Sequence, residues 1–157
     1  MRYTIRDMRP AESPLLEDFL YEAIFLPEGT APPPRSILNE EALRVYIREF
    51  GSRPGDVCLM AEAGGQAVGA VWARIMDDYG HVDDETPSLA ISLYPAYRGR
   101  GIGTNLLEHM LTRLRQGGYK QVSLSVQKAN PAANLYRRMG FEIFRGTEEE
   151  WIMVRRL

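Results

Sequence analysis

Apolar positions recur along the chain with two periods, and the changes between them mark out the elements. Tyr3-Thr4-Ile5-Arg6 alternates like a short strand. Leu15, Leu16, Phe19, Leu20, Ala23 and Ile24 then return at helical spacing behind Ser13-Pro14, a cap followed by a first-turn proline. Asn39 predicts the start of a second helix with Leu43, Tyr46, Ile47 and Phe50 on one side, stopped by Gly51. The apolar runs Val57–Ala61 and Ala67–Ile75 flank Ala63-Gly64-Gly65-Gln66 and read as a hairpin. A strand carrying Leu89, Ile91 and Leu93 precedes a strong helix. Its stripe is Leu106, Leu107, Met110, Leu111 and Leu114, and Gly117-Gly118 ends it. Val122, Leu124 and Val126 alternate as another strand, and Asn130-Pro131 opens a short helix that ends at Gly140. Phe141–Phe144 and Trp151–Val154 close the order β-α-α-β-β-β-α-β-α-β-β. A helix crossing between strands implies parallel pairing and the hairpin implies antiparallel pairing, so an α/β (α+β) class with a mixed sheet is expected. No repeat or linker divides the chain, and a single domain over 1–157 is expected.

Two stretches stand outside this pattern. Residues 27–37 contain three consecutive prolines, which favour a stiff extended segment, either a rigid connector or a wall of a substrate cleft. Residues 77–85 form an acidic loop that holds His81 as well. A formal net charge of -2 argues against a nucleic-acid partner, because phosphate affinity needs a surplus of Lys and Arg. With Cys58 alone in an apolar run, and with His81 and His109 far apart, neither a disulfide nor a metal site is expected. No apolar run reaches the roughly 20 residues a membrane span needs, and the start of the chain lacks a signal core. A cytoplasmic setting is the expectation.

The candidate chemistry lies in Leu93-Tyr94-Pro95-Ala96-Tyr97-Arg98-Gly99-Arg100-Gly101-Ile102-Gly103-Thr104, which joins an apolar strand to an amphipathic helix. Glycines let a ligand approach the backbone, and amides at a helix start are unpaired and partly positive, so this junction suits a phosphate or pyrophosphate. A Walker loop needs a lysine that does not follow Gly103, and a dinucleotide fingerprint needs a different glycine spacing. A nucleotide-binding protein is therefore disfavoured. Arg98-Gly99-Arg100-Gly101-Ile102-Gly103 resembles the Arg/Gln-x-x-Gly-x-Gly/Ala pyrophosphate loop of the GNAT acetyltransferases. Asn130-Pro131-Ala132-Ala133-Asn134-Leu135-Tyr136-Arg137-Arg138-Met139-Gly140-Phe141 resembles the Asn-Pro-Ala-x-x-Leu-Tyr-x-x-x-Gly-Phe segment of the same family. The similarity is sharpest over residues 88–143.

The resemblance implies a GNAT fold, a mostly antiparallel mixed sheet with two splayed parallel strands between helices, and acetyl-CoA as acyl donor. Ile91, Ser92 and Leu93 would line the donor, with the Leu93 amide on the thioester carbonyl. Amides from Arg98, Gly99, Arg100, Gly101, Ile102, Gly103 and Thr104 would hold the pyrophosphate, and Asn130 and Asn134 would contact the CoA chain. Tyr136 would donate a proton to the departing thiolate, which suits a phenol protonated at neutral pH, although its spacing equally fits a packing role. Many members carry a glutamate at the start of the strand before the loop. Here that place reads Thr86-Pro87-Ser88-Leu89, which leaves Glu85 or Asp84 as replacements, or Ser88 to position a water. The acceptor implied is a small-molecule or peptide amine, and the resemblance allows a homodimer. Two readings stand: an acetyltransferase, or a non-catalytic acyl-CoA-binding module that regulates a partner.

Overall fold

The alternating runs assemble into one twisted sheet. In the computed structural model, which describes residues 1–157, the strands are β1 (Thr4–Asp7), β2 (Val57–Ala63), β3 (Gln66–Arg74), β4 (Ser88–Leu93), β5 (Gln121–Gln127), β6 (Glu142–Gly146) and β7 (Glu150–Arg156). The helices are α1 (Leu15–Ala23), α2 (Glu41–Arg44), α3 (Ile102–Gln116) and α4 (Ala132–Arg138). The order across the sheet is β1-β2-β3-β4-β5-β7-β6. Every neighbouring pair is antiparallel except β4 and β5. The fold is the expected mixed-sheet α/β class. No helix is long and apolar enough to cross a membrane.

Side-chain alternation gives the sheet two apolar faces, and each is covered differently. Leu59, Val71, Leu89, Leu124 and Met153 pack beneath the α3 stripe of Ile102, Leu106, Leu107, Met110 and Leu114, with Ala133 of α4 alongside. On the other face Cys58, Met60, Ala70 and Trp72 meet Leu16, Phe19 and Leu20 of α1, together with Leu38 and Tyr46. Cys58 is buried there and burial pushes its thiol well above the usual range, so it is a packing residue.

The second helix departs from the sequence pattern. The chain makes a 3-10 turn over Arg35–Asn39, only one α-turn at α2, and then looser turns to Phe50. Asn39 therefore ends an element rather than capping one. The cause is tertiary. The indole of Trp72 donates to the Tyr46 carbonyl at 3.1 Å, and Arg74 donates to the carbonyls of Val45 at 3.1 Å and Arg48 at 2.7 Å. A continuous helix would need the Val45 and Tyr46 carbonyls for its own amides. Arg74 is fully buried and also forms a two-point ion pair with Asp56 at 2.9 Å, so it pins residues 45–56 across β3.

Candidate active site

Strands β4 and β5 bridge at a single position, Ser88 with Ser123, where the Ser123 amide donates to the Pro87 carbonyl at 3.0 Å. Beyond that bridge toward the ends of both strands no further pairing forms, and the sheet opens. An antiparallel ladder bonds alternate residues to each side. The Tyr94 amide donates to Val68 of the β3 side at 3.0 Å, so the amides of Ile91 and Leu93 point the other way, into the opening. This is the orientation a carbonyl-holding donor needs.

The loop after β4 turns on two left-handed residues, Gly99 at φ 73° and Gly101 at φ 83°, with nothing within 4 Å of the place a Cβ would take. The first helical amide bond of α3 runs from Asn105 to the Gly101 carbonyl at 3.2 Å. The amides of Gly99, Arg100, Gly101, Ile102, Gly103 and Thr104 consequently have no partner in the chain, and they crowd at the positive end of α3. Arg98 departs from the expectation. Its amide donates to the Pro95 carbonyl at 3.2 Å, and its guanidinium donates to the Leu93 carbonyl at 3.0 Å and pairs with Glu22 at 3.0 Å. It braces the loop against α1, whereas Arg100 is exposed and forms no ion pair.

Helix α4 brings its residues to the same face of the sheet. The Asn130 side chain accepts the Ala132 amide at 2.9 Å, which caps the helix start, while Asn134 is exposed. Tyr136 packs against the α3-side core with its ring 6.0 Å from that of Phe141. Burial alone pushes its hydroxyl up to about 12, so it is a protonated donor at neutral pH. Ile91 and Leu93 lie on this face too, while the Ser92 hydroxyl is spent on the Phe19 carbonyl at 2.6 Å and serves to join α1 to β4.

The acidic loop covers the opposite face. Ser123 donates to the Gly80 carbonyl at 2.7 Å, and a Cβ on Gly80 would lie 3.1 Å from the Ser125 amide nitrogen, so the loop lies on β5 where the sheet starts to open. Ser88 donates to Asp78 Oδ1 at 2.7 Å. Asp78 Oδ2 is buried and no donor meets it in hydrogen-bond geometry. Burial is the main cause that raises the Asp78 carboxyl above the usual range, partly offset by Ser88, Tyr46 and the Gly80 amide close by. Glu85, by contrast, is exposed, with its amide on Asp83 Oδ1 at 2.9 Å and its side chain free of ion pairs. Asp84 is exposed as well, 3.5 Å from His81. Of the expected acids, neither packs against the β4–β5 bridge; Asp78 does, through Ser88. Its only mark in the sequence is membership of a run of carboxylates, and the bridge to Ser88 is a contact that no local pattern encodes.

The Acetyltransferase (GNAT) family profile matches residues 20–141. The chain belongs to the GNAT acetyltransferase family. It is 25% identical over 112 residues to the mycothiol acetyltransferase of Propionibacterium freudenreichii subsp. shermanii and 33% identical over 117 residues to that of Thermobifida fusca. Each match takes in 71% of this chain, which spans 35% and 36% of those longer relatives. The PaiA N-acetyltransferase of Thermoplasma acidophilum, solved in complex with coenzyme A, superposes with a TM-score of 0.74 at 19% identity. That match covers 100% of both chains and shares the fold.

Proposed function

We propose that residues 1–157 act as a single N-acetyltransferase domain that moves an acetyl group from acetyl-CoA to a primary amine of a small molecule or peptide. The observation that carries this reading is the opening between β4 and β5, with unpaired amides on its β4 wall and a run of unpaired amides at the start of α3. These two groups of donors fit the two polar parts of a CoA thioester: the carbonyl and the pyrophosphate. The amides of Gly99 to Thr104 would hold the phosphates, with Arg100 adding charge, while Asn130 and Asn134 flank the path of the CoA chain.

The neutral amine attacks the thioester carbonyl directly. Charge that develops on the carbonyl oxygen is met by the amides of Ile91 and Leu93, already oriented by the ladder with β3. The C–S bond then breaks and Tyr136 supplies the proton to sulfur. The coenzyme A bound in the Thermoplasma acidophilum structure supports this reading, as does the name acetyltransferase borne by the longer relatives. One observation favours the alternative of a regulatory acyl-CoA-binding module: the start of β4 has no glutamate, and Glu85 is turned to solvent. Free thiol released from acetyl-CoA with a panel of primary amines tests the reading. Release that depends on the amine supports it; donor binding without release leaves only the module.

A further inference from the structure

The donor loop, α4 and Tyr136 lie on one side of the sheet, and Asp78 lies on the other. Along β4 and β5 the inward residues Leu89, Leu124 and Val126 pack under α3, while Ser88, Ser123 and Ser125 face the acidic loop. The two faces meet only where β4 and β5 part, just past the Ser88–Ser123 bridge. Asp78 is held at that bridge by Ser88, and its second oxygen is buried with no donor in hydrogen-bond geometry, although the Tyr46 hydroxyl and the Gly80 amide lie close. Buried polar atoms are nearly always partnered, so an orphaned carboxylate oxygen beside a gap in a sheet needs a reason. A fold has little to gain from it, because its charge is costly there.

We propose that Asp78 is the base that takes the proton from the acceptor amine, which it receives on the face opposite Tyr136. This inference rests on the acetyltransfer reading above. As the N–C bond forms, the C=O π pair moves to oxygen, and the nitrogen gives one proton to Asp78. As the pair on oxygen re-forms C=O and the C–S bond breaks, its electrons leave with sulfur, which gains one proton from Tyr136. Solvent returns a proton from Asp78 to Tyr136 between turnovers, so amine and thioester become amide and thiol with nothing left over. The free Oδ2 supplies the lone pair, and the Ser88 hydroxyl fixes Oδ1. The groups around it explain why it is a usable base: Tyr46 from the α2 segment, Ser125 of β5 and Glu150 of β7 surround it. Glu150 is itself raised by burial and by its acidic neighbours, Asp78 among them. The buried Arg74 of β3 is committed to Asp56, and His81 holds the Met76 carbonyl at 2.8 Å, so neither forms an ion pair with Asp78. A carboxyl raised in this way holds a proton more strongly than a solvated one while remaining ionised at higher pH.

Asp78→Asn keeps an oxygen for Ser88 and removes the base. With acetyl-CoA and the best amine of the panel, kcat/KM at neutral pH should fall about 100-fold, within the range for loss of a general base. The stabilisation of the protein by CoA should remain. The rates of parent and variant should both climb with pH toward the amine's own pKa, about 10 for an alkyl ammonium, with the gap between them persisting. Ser88→Ala supplies a second readout should the Asn variant fold poorly. It removes a hydrogen bond that favours the ionised carboxylate, so the acidic limb of the pH profile should move to higher pH. A folded Asp78→Asn protein within threefold of the parent across the pH range, or an unmoved limb in Ser88→Ala, overturns the role of Asp78 and leaves acetyltransfer intact. A parent protein that binds CoA but acetylates no amine overturns both.

Discussion

Tyr136 is half-buried against Phe141, and desolvation is the one cause that shifts its hydroxyl. Replacement by Phe keeps the ring and deletes the hydroxyl. If the hydroxyl protonates the leaving sulfur, single-turnover acetyl transfer should fall about 100-fold while CoA affinity changes little, the signature of a transition-state contact. Unchanged transfer would reduce Tyr136 to a packing residue. Because its hydroxyl is raised to about 12, the basic limb of the parent's rate profile should not come from Tyr136 below that pH. A second residue-scale effect concerns stability. Arg6 donates to both oxygens of Glu12 at 2.8 Å, and this ion pair, chiefly its hydrogen bond, lowers the Glu12 carboxyl to about 2. A depressed carboxyl contributes stability above its unfolded value, and the contribution is lost as pH falls through the folded one. The melting difference between the parent and Glu12→Gln should therefore shrink between about pH 4.5 and pH 2. A difference that stays constant through that window would show that the pair is not coupled to folding.

At the scale of elements, the loop before α3 and the pin through Arg74 make opposite predictions. Gly103 lies just inside the helix, and a Cβ there would sit 3.7 Å from Leu93 Cδ1, an ordinary contact. Gly103→Asp should therefore leave the apo fold close to the parent by circular dichroism while a carboxylate among the free amides abolishes CoA-induced stabilisation. Retained stabilisation in a folded variant would remove the phosphate role of the loop. Arg74→Ala should act on the fold itself. It strands Asp56, whose side chain is fully buried, and removes two carbonyl partners, a loss of about 3–5 kcal/mol for breaking a buried pair. Chemical denaturation of the parent and variant measures it, and a change below about 1 kcal/mol would mean that water reaches the site. The same two elements show what the sequence could carry. Strands, hairpin and α3 were legible because their periods are local, and the glycine loop because its backbone requirement is local too. The α2 segment was not, because Trp72 and Arg74 compete for its carbonyls from a strand far along the chain. The bracing role of Arg98 is hidden from the local pattern for the same reason: its partner Glu22 lies 76 residues away. Asp78 could not be told from its acidic neighbours until the turn at Gly80 laid the loop on β5.

Across the whole molecule, the sheet acts as a partition with one gap. The side proposed to take the donor is covered by α3 and α4, with the unpaired amides at the start of α3 and the phenol of Tyr136 packed against the core there. The other side is covered by α1, the 35–50 segment and the acidic loop, which bring a carboxylate to the β4–β5 bridge. Binding of CoA to the folded state alone should stabilise the protein by roughly 2.7 kcal/mol at about 100 times the dissociation constant, and ATP or NAD should do far less. Equal melting shifts with all three would mean a generic anion site. Transfer itself is the central claim, and the most direct measurement is the mass of the acceptor after a single turnover with enzyme in excess over acetyl-CoA. The account predicts that one amine of the panel gains one acetyl group at the rate that free thiol appears, while the protein's mass is unchanged throughout. Thiol release without an acetylated amine, or an acetyl group lodged on the protein before it reaches the amine, would contradict direct transfer across the gap.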